Sequence, residues 1–279
     1  MKDRAMQLRQ MENRGARDLA EPDGPPVIVV GSGKGGVGKS VVAVLLAAAH
    51  ADRGSRVLLL DGSQNLGHLH VMLGVNVHAR LEQLMRGDAE PEELLHRVSD
   101  KLWFVPGDSG AEGLYALPAV DQARLHHRVA ALFPKFDVVV VDAGPGLESV
   151  VRPATMGGSC LIVVTLPEVT ALTDAYALIK LVHGQLPSLR IELLVNRVAD
   201  QEEAAGAHER LAVATGRFLG RGLGTLGGLP ETPALRDTMR RPGALLVDSA
   251  LSELRGRVAD IAAKSLAAQP TATAVEGTP

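Results

Sequence analysis

The chain has 279 residues, of which 46% are hydrophobic and 22% are charged, a composition that favours a globular core and excludes a disordered polymer. The formal net charge of -3 and the aromatic content of 3% do not favour a nucleic-acid-binding surface or a membrane-interface belt. The single cysteine, Cys160, excludes a disulfide framework and a thiolate zinc site. The charged N-terminus and the lack of an apolar run near the ~20 residues of a spanning helix predict a cytoplasmic protein.

Three parts are expected along the chain. Residues 1–26 are predicted to be a charged N-terminal segment that closes in a stiff, proline-rich linker. Residues 27–267 are predicted to form one domain. Residues 268–279 contain few bulky apolar side chains and are predicted to be a disordered tail.

Apolar runs alternate with helical patterns throughout residues 27–267. The predicted buried strands are, in chain order, Val27–Val30, Arg56–Asp61, Lys101–Val105, Phe136–Asp142, Cys160–Thr165, Arg190–Val195 and Leu223–Leu226. The predicted helices include Ser40–Arg53, Ala119–Phe133, Thr173–Gln185 and Val247–Ala267. Uniformly apolar strands that alternate with helices are typical of a mostly parallel sheet covered on both faces. The predicted fold is therefore α/β, with a twisted sheet of about seven or eight strands.

A glycine-rich loop lies between the first predicted strand and helix. Its residues Gly33-Lys34-Gly35-Gly36-Val37-Gly38-Lys39-Ser40 fit G-x-x-x-x-G-K-[ST], the pattern of a phosphate-binding loop. Glycines let successive backbone N–H groups point at phosphate oxygens, and the helix N-terminus adds its dipole. Lys39 is expected to reach the β- and γ-phosphates and the Ser40 hydroxyl to ligate Mg²⁺.

The same loop permits two other interpretations. Residues 31–36 also fit the dinucleotide pattern G-x-G-x-x-G, with Asp61 as the ribose-binding acid, although the Gly-Lys-Ser ending then has no role. An accidental glycine turn is the other alternative.

If the loop binds phosphate, Asp142 at the end of the fourth strand is expected beside Mg²⁺. A turn-forming or helix-capping aspartate is the alternative for Asp142.

Lys34, at the second position of the loop, makes Gly33–Ser40 resemble the deviant Walker A motif of the MinD/ParA ATPases. The resemblance implies ATP and Mg²⁺ as ligands and an ATP-dependent homodimer in which Lys34 reaches the partner's nucleotide. It also implies that Asp142 opens the second switch and that Asn196 and Arg197 face the adenine. A solvated Lys34 and a strand-end turn at Asn196 remain alternatives.

The first switch departs from the family pattern, which is usually Asp-x-Asp. Asp61 matches the first acid, whereas Ser63 stands in the place of the second, which the family associates with positioning the attacking water. A serine is neutral at pH 7 and does not accept the proton. Slow ATP hydrolysis with intact nucleotide binding is therefore expected.

Residues 162–180, IVVTLPEVTALTDAYALIK, resemble the FlhG/FleN (YlxH) branch of the family, the regulators of flagellar number and placement. Residues 3–9 resemble the branch's N-terminal motif, which stimulates the signal-recognition-type GTPase FlhF, with Arg4 in place of its glutamine. The resemblance implies a dimerising switch that acts on FlhF or flagellar assembly proteins and that a partner recruits to the cell pole or membrane.

Two other functions remain open, and one property of the C-terminus is predicted. A ParA-like DNA- or cargo-positioning ATPase would need a basic surface, for which the candidates are Arg217, Arg221, Arg236, Arg240 and Arg241. A hydrolysis-deficient ATP-binding module is the other alternative function, because Ser63 replaces the acid.

The last predicted helix carries balanced charges and an apolar stripe that is expected to pack on the core: Val247, Leu251, Leu254, Val258 and Ile261. Intrinsic membrane binding is therefore expected to be weak or absent.

Overall fold

The structure, a computed structural model, describes residues 24–62, 67–107, 118–144, 147–155 and 158–267. Three features singled out in the sequence lie outside the described residues. They are the N-terminal segment up to residue 23, Ser63 and the tail 268–279.

An eight-stranded sheet runs through the described part of the chain. Its strands are β1 (Val27–Gly31), β2 (Val57–Gly62), β3 (His96–Arg97), β4 (Leu102–Val105), β5 (Val138–Ala143), β6 (Gly158–Thr165), β7 (Ile191–Val198) and β8 (Gly224–Pro230). Their order is β3-β4-β2-β5-β1-β6-β7-β8, and every neighbouring pair is parallel except the edge pair β3-β4. The prediction of an α/β fold with a mostly parallel sheet is confirmed.

Helices cover both faces of this sheet. They are α1 (Lys39–Asp52), α2 (Leu69–Leu73), α3 (Leu81–Arg86), α4 (Ala119–Ala130), α5 (Leu147–Thr155), α6 (Val169–Gln185), α7 (Gln201–Leu219), α8 (Ala234–Thr238), α9 (Ala244–Val247) and α10 (Ser252–Ser265). Among the described residues, no helix is both long enough and apolar enough to cross a membrane.

The core consists of two clusters because side chains alternate along each strand. In β1, Val27 and Val29 face the cluster that α4, α5, α6 and α7 cover, whereas Ile28 and Val30 face the cluster that α1 and α10 cover. Uniformly apolar strands therefore bury both of their faces. This arrangement places the carboxyl ends of the parallel strands at one edge, where the glycine loop emerges from β1.

The last predicted helix is interrupted. Val247 ends α9 and is 78% exposed, so it does not belong to the apolar stripe. The Asp248 side chain accepts a hydrogen bond from the Ala250 N–H, and its backbone is extended, which ends one helix before the next begins. The remaining four stripe residues, Leu251, Leu254, Val258 and Ile261, are buried as expected.

Candidate nucleotide-binding site

The glycine loop needs glycine at two positions that bring it close to other segments. A Cβ atom on Gly33 would lie 2.1 Å from the backbone oxygen of Asp174 in α6. Gly38 has a φ of +91°, and a Cβ atom there would lie 2.4 Å from Asn196 Nδ2. Only glycine meets both the left-handed backbone and the close approach. The loop is thus held against α6 and against the carboxyl end of β7.

Lys39 and Asp142 form a buried ion pair at the base of the loop. Lys39 begins α1, and its Nζ donates to Asp142 Oδ1 at the end of β5, where Asp142 lies beside Val30 of β1. Asp142 is 1% exposed, and this burial raises the pKa of its carboxyl group. Lys39 and the Ser40 hydroxyl act in the opposite direction and favour the carboxylate.

The chemistry of these residues fits a magnesium ion. Among the described residues, none donates a hydrogen bond to the buried Asp142 Oδ2. The Ser40 hydroxyl is close enough to the same carboxyl group to lower its pKa by hydrogen bonding. The described part of the chain contains no cluster of three or more His, Cys, Asp or Glu side chains suited to a metal. Mg²⁺ is bound by one or two protein oxygens together with substrate phosphates and water, so Ser40 and Asp142 suffice for it.

Asp61 lies directly beside Asp142. It ends the buried part of β2 and is in register with Asp142 on the adjacent strand β5. Its charge contributes to raising the pKa of Asp142. Asp61 Oδ2 also accepts a hydrogen bond from the Leu69 N–H at 3.4 Å, which connects β2 to the start of α2. The two acids implied by the family resemblance therefore meet at one point of the sheet edge.

Lys34 contacts a different segment from Lys39. Its Nζ lies 3.2 Å from Thr170 Oγ1 and 3.4 Å from Glu168 Oε2, at the start of α6. The Lys34 side chain is 37% exposed. The two lysines of the loop thus point to separate places, one to the buried Asp142 and the other to the surface.

Asn196 and Arg197, at the end of β7, contact the loop and line the pocket beside it. Asn196 Nδ2 donates to the Val37 carbonyl oxygen at 2.7 Å, and an Arg197 guanidinium N–H donates to the Gly36 carbonyl oxygen at 3.0 Å. The pocket has a volume of about 850 Å³ and is bounded by Gly38, both of these residues and the segment that follows β8.

Sequence reasoning missed one wall of this pocket. Residues 229–233, Leu-Pro-Glu-Thr-Pro, comprise the last two residues of β8 and the three that follow it at the carboxyl edge of the sheet, and they line the pocket together with Met239. Arg236 and Arg240, which the sequence suggested as part of a basic surface, line the same pocket. The available signal was the pair of prolines, Pro230 and Pro233, a few residues after the last predicted strand, since ligands in such sheets bind outside the carboxyl ends of strands.

Comparisons with known proteins agree with this geometry. A family described as an AAA domain matches residues 26–193. The antiactivator FleN of Pseudomonas aeruginosa is 32% identical over 219 residues, which cover 78% of each chain. The flagellum site-determining protein YlxH of Helicobacter pylori is 31% identical over 214 residues, covering 76% of this chain and 72% of YlxH.

Solved structures show the same fold. The cell division ATPase MinD of Pyrococcus furiosus superposes with a TM-score of 0.69 at 26% identity, covering 86% of this chain and 97% of MinD. MinD of Pyrococcus horikoshii, solved with Mg-ADP, has a TM-score of 0.68 at 24% identity, covering 86% of this chain and 95% of that one. The loop, the ion pair beneath it and these likenesses show that the chain belongs to the MinD/ParA family of P-loop ATPases.

Proposed function

We propose that the protein is an ATP-dependent dimerising switch that regulates flagellar number, placement and assembly through partner proteins. The observation that supports the proposal most directly is that the loop Gly33–Ser40 brings its own Lys39 into a buried ion pair with Asp142 at the end of β5. The choice of a flagellar role is supported by the similarity to FleN and YlxH, which covers more than two thirds of each protein.

Each side chain at the site has a proposed task toward Mg-ATP. The backbone N–H groups of Gly33–Ser40 and the Lys39 ammonium would bind the phosphates. Ser40 and Asp142 would hold Mg²⁺, which when bound neutralises charge that develops on the phosphates. Asn196 and Arg197 would border the adenine in the adjacent pocket. Asp61 is proposed to act beside Asp142 in the first switch.

A direct hydrogen bond would couple the two switch segments. The Gly144 N–H donates to the Gly62 carbonyl oxygen at 3.1 Å, so the residue after β5 is tied to the end of β2. Asp61 directly precedes Gly62, Asp142 lies two residues before Gly144, and the two acids are in register. A change at the γ-phosphate that displaces one segment would therefore displace the other, as a nucleotide switch requires.

Lys34→Ala tests the dimerisation step. It is expected to weaken ATP-dependent dimerisation by about 10- to 100-fold, the value of one charge-assisted hydrogen bond, with little change in nucleotide affinity. The reason is that the resemblance to the deviant Walker A motif implies a contact between Lys34 and the partner's nucleotide, and Lys34 lies at the surface with 37% of its side chain exposed. Sedimentation with a non-hydrolysable ATP analogue and Mg²⁺ measures dimerisation, and a separate titration measures affinity.

The matched control for this experiment is Lys180→Ala, because Lys180 is an exposed lysine on α6 away from the loop. This variant is expected to dimerise as the wild type does. A wild-type chain that stays monomeric when saturated with the analogue would rule out the dimerising switch while leaving nucleotide binding intact.

A hydrolysis-deficient ATP-binding module is the second candidate function, and Ser63 favours it. If the first switch lacks only its water-positioning acid, Ser63→Asp should raise ATP turnover by at least about tenfold. A fully positioned base contributes ~10²–10⁴-fold, and the introduced aspartate is expected to restore part of that. Ser63→Ala is the control and should leave turnover unchanged. Brisk wild-type turnover that Ser63→Asp fails to raise would show that another residue positions the water.

Protein partners are supported over DNA by the arrangement of the arginines. Arg221 donates to the carbonyl oxygens of Pro187 and Leu189, and Arg240 and Arg241 pair with acidic neighbours within the chain. The Arg221 donors are thus used within the chain, and acidic side chains offset the charges of Arg240 and Arg241, so these three arginines attract DNA phosphates less than free cations would. We propose an FlhF-type GTPase or flagellar assembly proteins as partners, contacted through residues 1–26.

Membrane or polar localisation is proposed to come from these partners. The apolar side chains Leu254, Val258 and Ile261 of α10 are buried against the core, chiefly on α1, so they are not available to insert into lipid. The Arg257 guanidinium pairs with Glu253 on the exposed side of the helix. Little apolar surface and little net positive charge therefore remain for an anionic membrane.

A further inference from the structure

We infer that Asn196 and Arg197 brace the phosphate loop, so that they contribute to binding the phosphates independently of any contact with the base. The inference rests on the proposed nucleotide binding and adds a positioning role to it. Both side chains donate to the loop's backbone, Asn196 to the Val37 carbonyl and Arg197 to the Gly36 carbonyl.

Holding a carbonyl group determines where the next N–H group points. The peptide unit is planar and trans, so its C=O and N–H point in opposite directions. Anchoring the Gly36 and Val37 carbonyl oxygens at the end of β7 therefore turns the N–H groups of Val37 and Gly38 away from β7. These N–H groups belong to the loop that is proposed to bind phosphate, and their orientation is established before the ligand arrives. Pre-oriented donors bind an anion without a reorganisation cost.

An irregularity in β7 allows two consecutive side chains to reach the same loop. In a regular strand, successive side chains point to opposite faces of the sheet. Asn196 is paired with Leu229 and Val198 with Pro230, so Arg197 is an extra residue at a break in the β7-β8 register. Its φ of +58° makes it the only residue other than glycine with a left-handed backbone in the described part of the chain. A conformation that is unfavourable for arginine is thus retained where it directs Arg197 to the loop.

The loop and Asn196 are also fitted closely to each other. A Cβ atom on Gly38 would lie 2.4 Å from Asn196 Nδ2, so a side chain at position 38 would displace the amide. An asparagine amide has two donor hydrogens and an acceptor oxygen. Asn196 can therefore hold the Val37 carbonyl through Nδ2 while Oδ1 remains an acceptor for a ligand in the pocket that it lines.

Inorganic tripolyphosphate separates bracing from base recognition because it has the phosphates of ATP and no base. We expect Asn196→Ala and Arg197→Gly each to lower the affinity of the full-length chain for Mg-tripolyphosphate by roughly 3- to 10-fold, the effect of one hydrogen bond. The glycine variant keeps the left-handed backbone accessible while removing the guanidinium. Calorimetric titration with tripolyphosphate, ATP and adenosine gives the three affinities. Lys180→Ala, which changes an exposed side chain of α6 outside the loop and the pocket, should bind tripolyphosphate as the wild type does.

The outcomes are distinct. If both variants lose affinity for ATP but bind tripolyphosphate as the wild type does, Asn196 and Arg197 act on the base alone and the brace is wrong. A loss in only one variant would contradict the paired arrangement. Should Asn196→Ala fail to fold, Arg197→Gly and Asn196→Asp, in which an acceptor faces the Val37 carbonyl, decide the question in the same titration. If the wild type binds neither ATP nor tripolyphosphate, the proposed nucleotide binding itself is refuted.

Discussion

Lys39→Ala is expected to lower the affinity for ATP by about 100-fold or more, because a charge-assisted hydrogen bond is worth about 1.5–3 kcal/mol and Lys39 is proposed to contact two phosphates. Lys39 begins α1 and is largely enclosed, with 15% of its side chain exposed. Equilibrium titration with ATP and Mg²⁺ measures the loss. Undiminished binding by the variant would contradict the assignment of Gly33–Ser40 as the phosphate loop.

The stability of this variant must be separated from its binding. Removing one partner of a buried ion pair lowers the free energy of unfolding by about 3–5 kcal/mol when the other charge stays buried. Lys39→Ala would leave the Asp142 carboxylate buried without its partner. Without Lys39, the pKa of Asp142 would rise further above its unfolded value. The resulting loss of stability is present above that raised pKa and fades as the pH falls through it. The double variant Lys39→Ala/Asp142→Asn should recover stability without recovering ATP binding.

Asp142→Asn is expected to lower ATP turnover by about 100-fold or more at a fixed Mg²⁺ concentration. A metal ion contributes several kcal/mol of charge stabilisation, and the amide that replaces the carboxylate is a weaker Mg²⁺ ligand. Single-turnover measurements over a range of Mg²⁺ concentrations follow the effect even if wild-type hydrolysis is slow. Asp137→Asn, an exposed position at the opposite end of β5, is the matched control and should behave as the wild type does.

The pH dependence provides a second measurement on the same residue. Burial raises the pKa of Asp142, and only the ionised carboxylate binds Mg²⁺ well. Protons and Mg²⁺ therefore compete for this carboxyl group, so at a sub-saturating Mg²⁺ concentration the turnover of the wild type should fall as the pH decreases, and the residual turnover of Asp142→Asn should lack this decrease. A variant that keeps both wild-type turnover and the same pH profile would show that another group holds the metal.

The strands were predictable because their signal is local. A continuous apolar run such as Val138–Val141 is buried on both sides of a parallel sheet, and this pattern is visible without any knowledge of its neighbours. By contrast, β3 has only two residues and was not predicted, and no bounds were predicted for the 19-residue helix α7. The buried side of α7 consists mainly of small residues, among them Ala204 and Ala207, whose weak periodicity does not distinguish a helix from a loop.

Ser40 and Asp142 show why parts of the site could be expected from sequence. The first lies in a motif whose backbone conformation depends on its own glycines, and the second ends a strand of a parallel sheet, where carboxyl ends meet. The pocket wall at residues 229–233 had only a weak signal, because it forms where β8 ends beside α8 and no local pattern specifies a ligand there.

The sequence by itself determined the alternation of strands and helices, the phosphate loop and the branch of the family that residues 162–180 resemble. Only the tertiary structure decided that Lys39 pairs with Asp142, 103 positions away, and that Asn196 reaches the Val37 carbonyl across 159 positions. The reason is that local patterns depend on the period of a helix or strand, whereas these contacts depend on strand order and on a register break in β7. Both of these features result from the packing of the whole sheet.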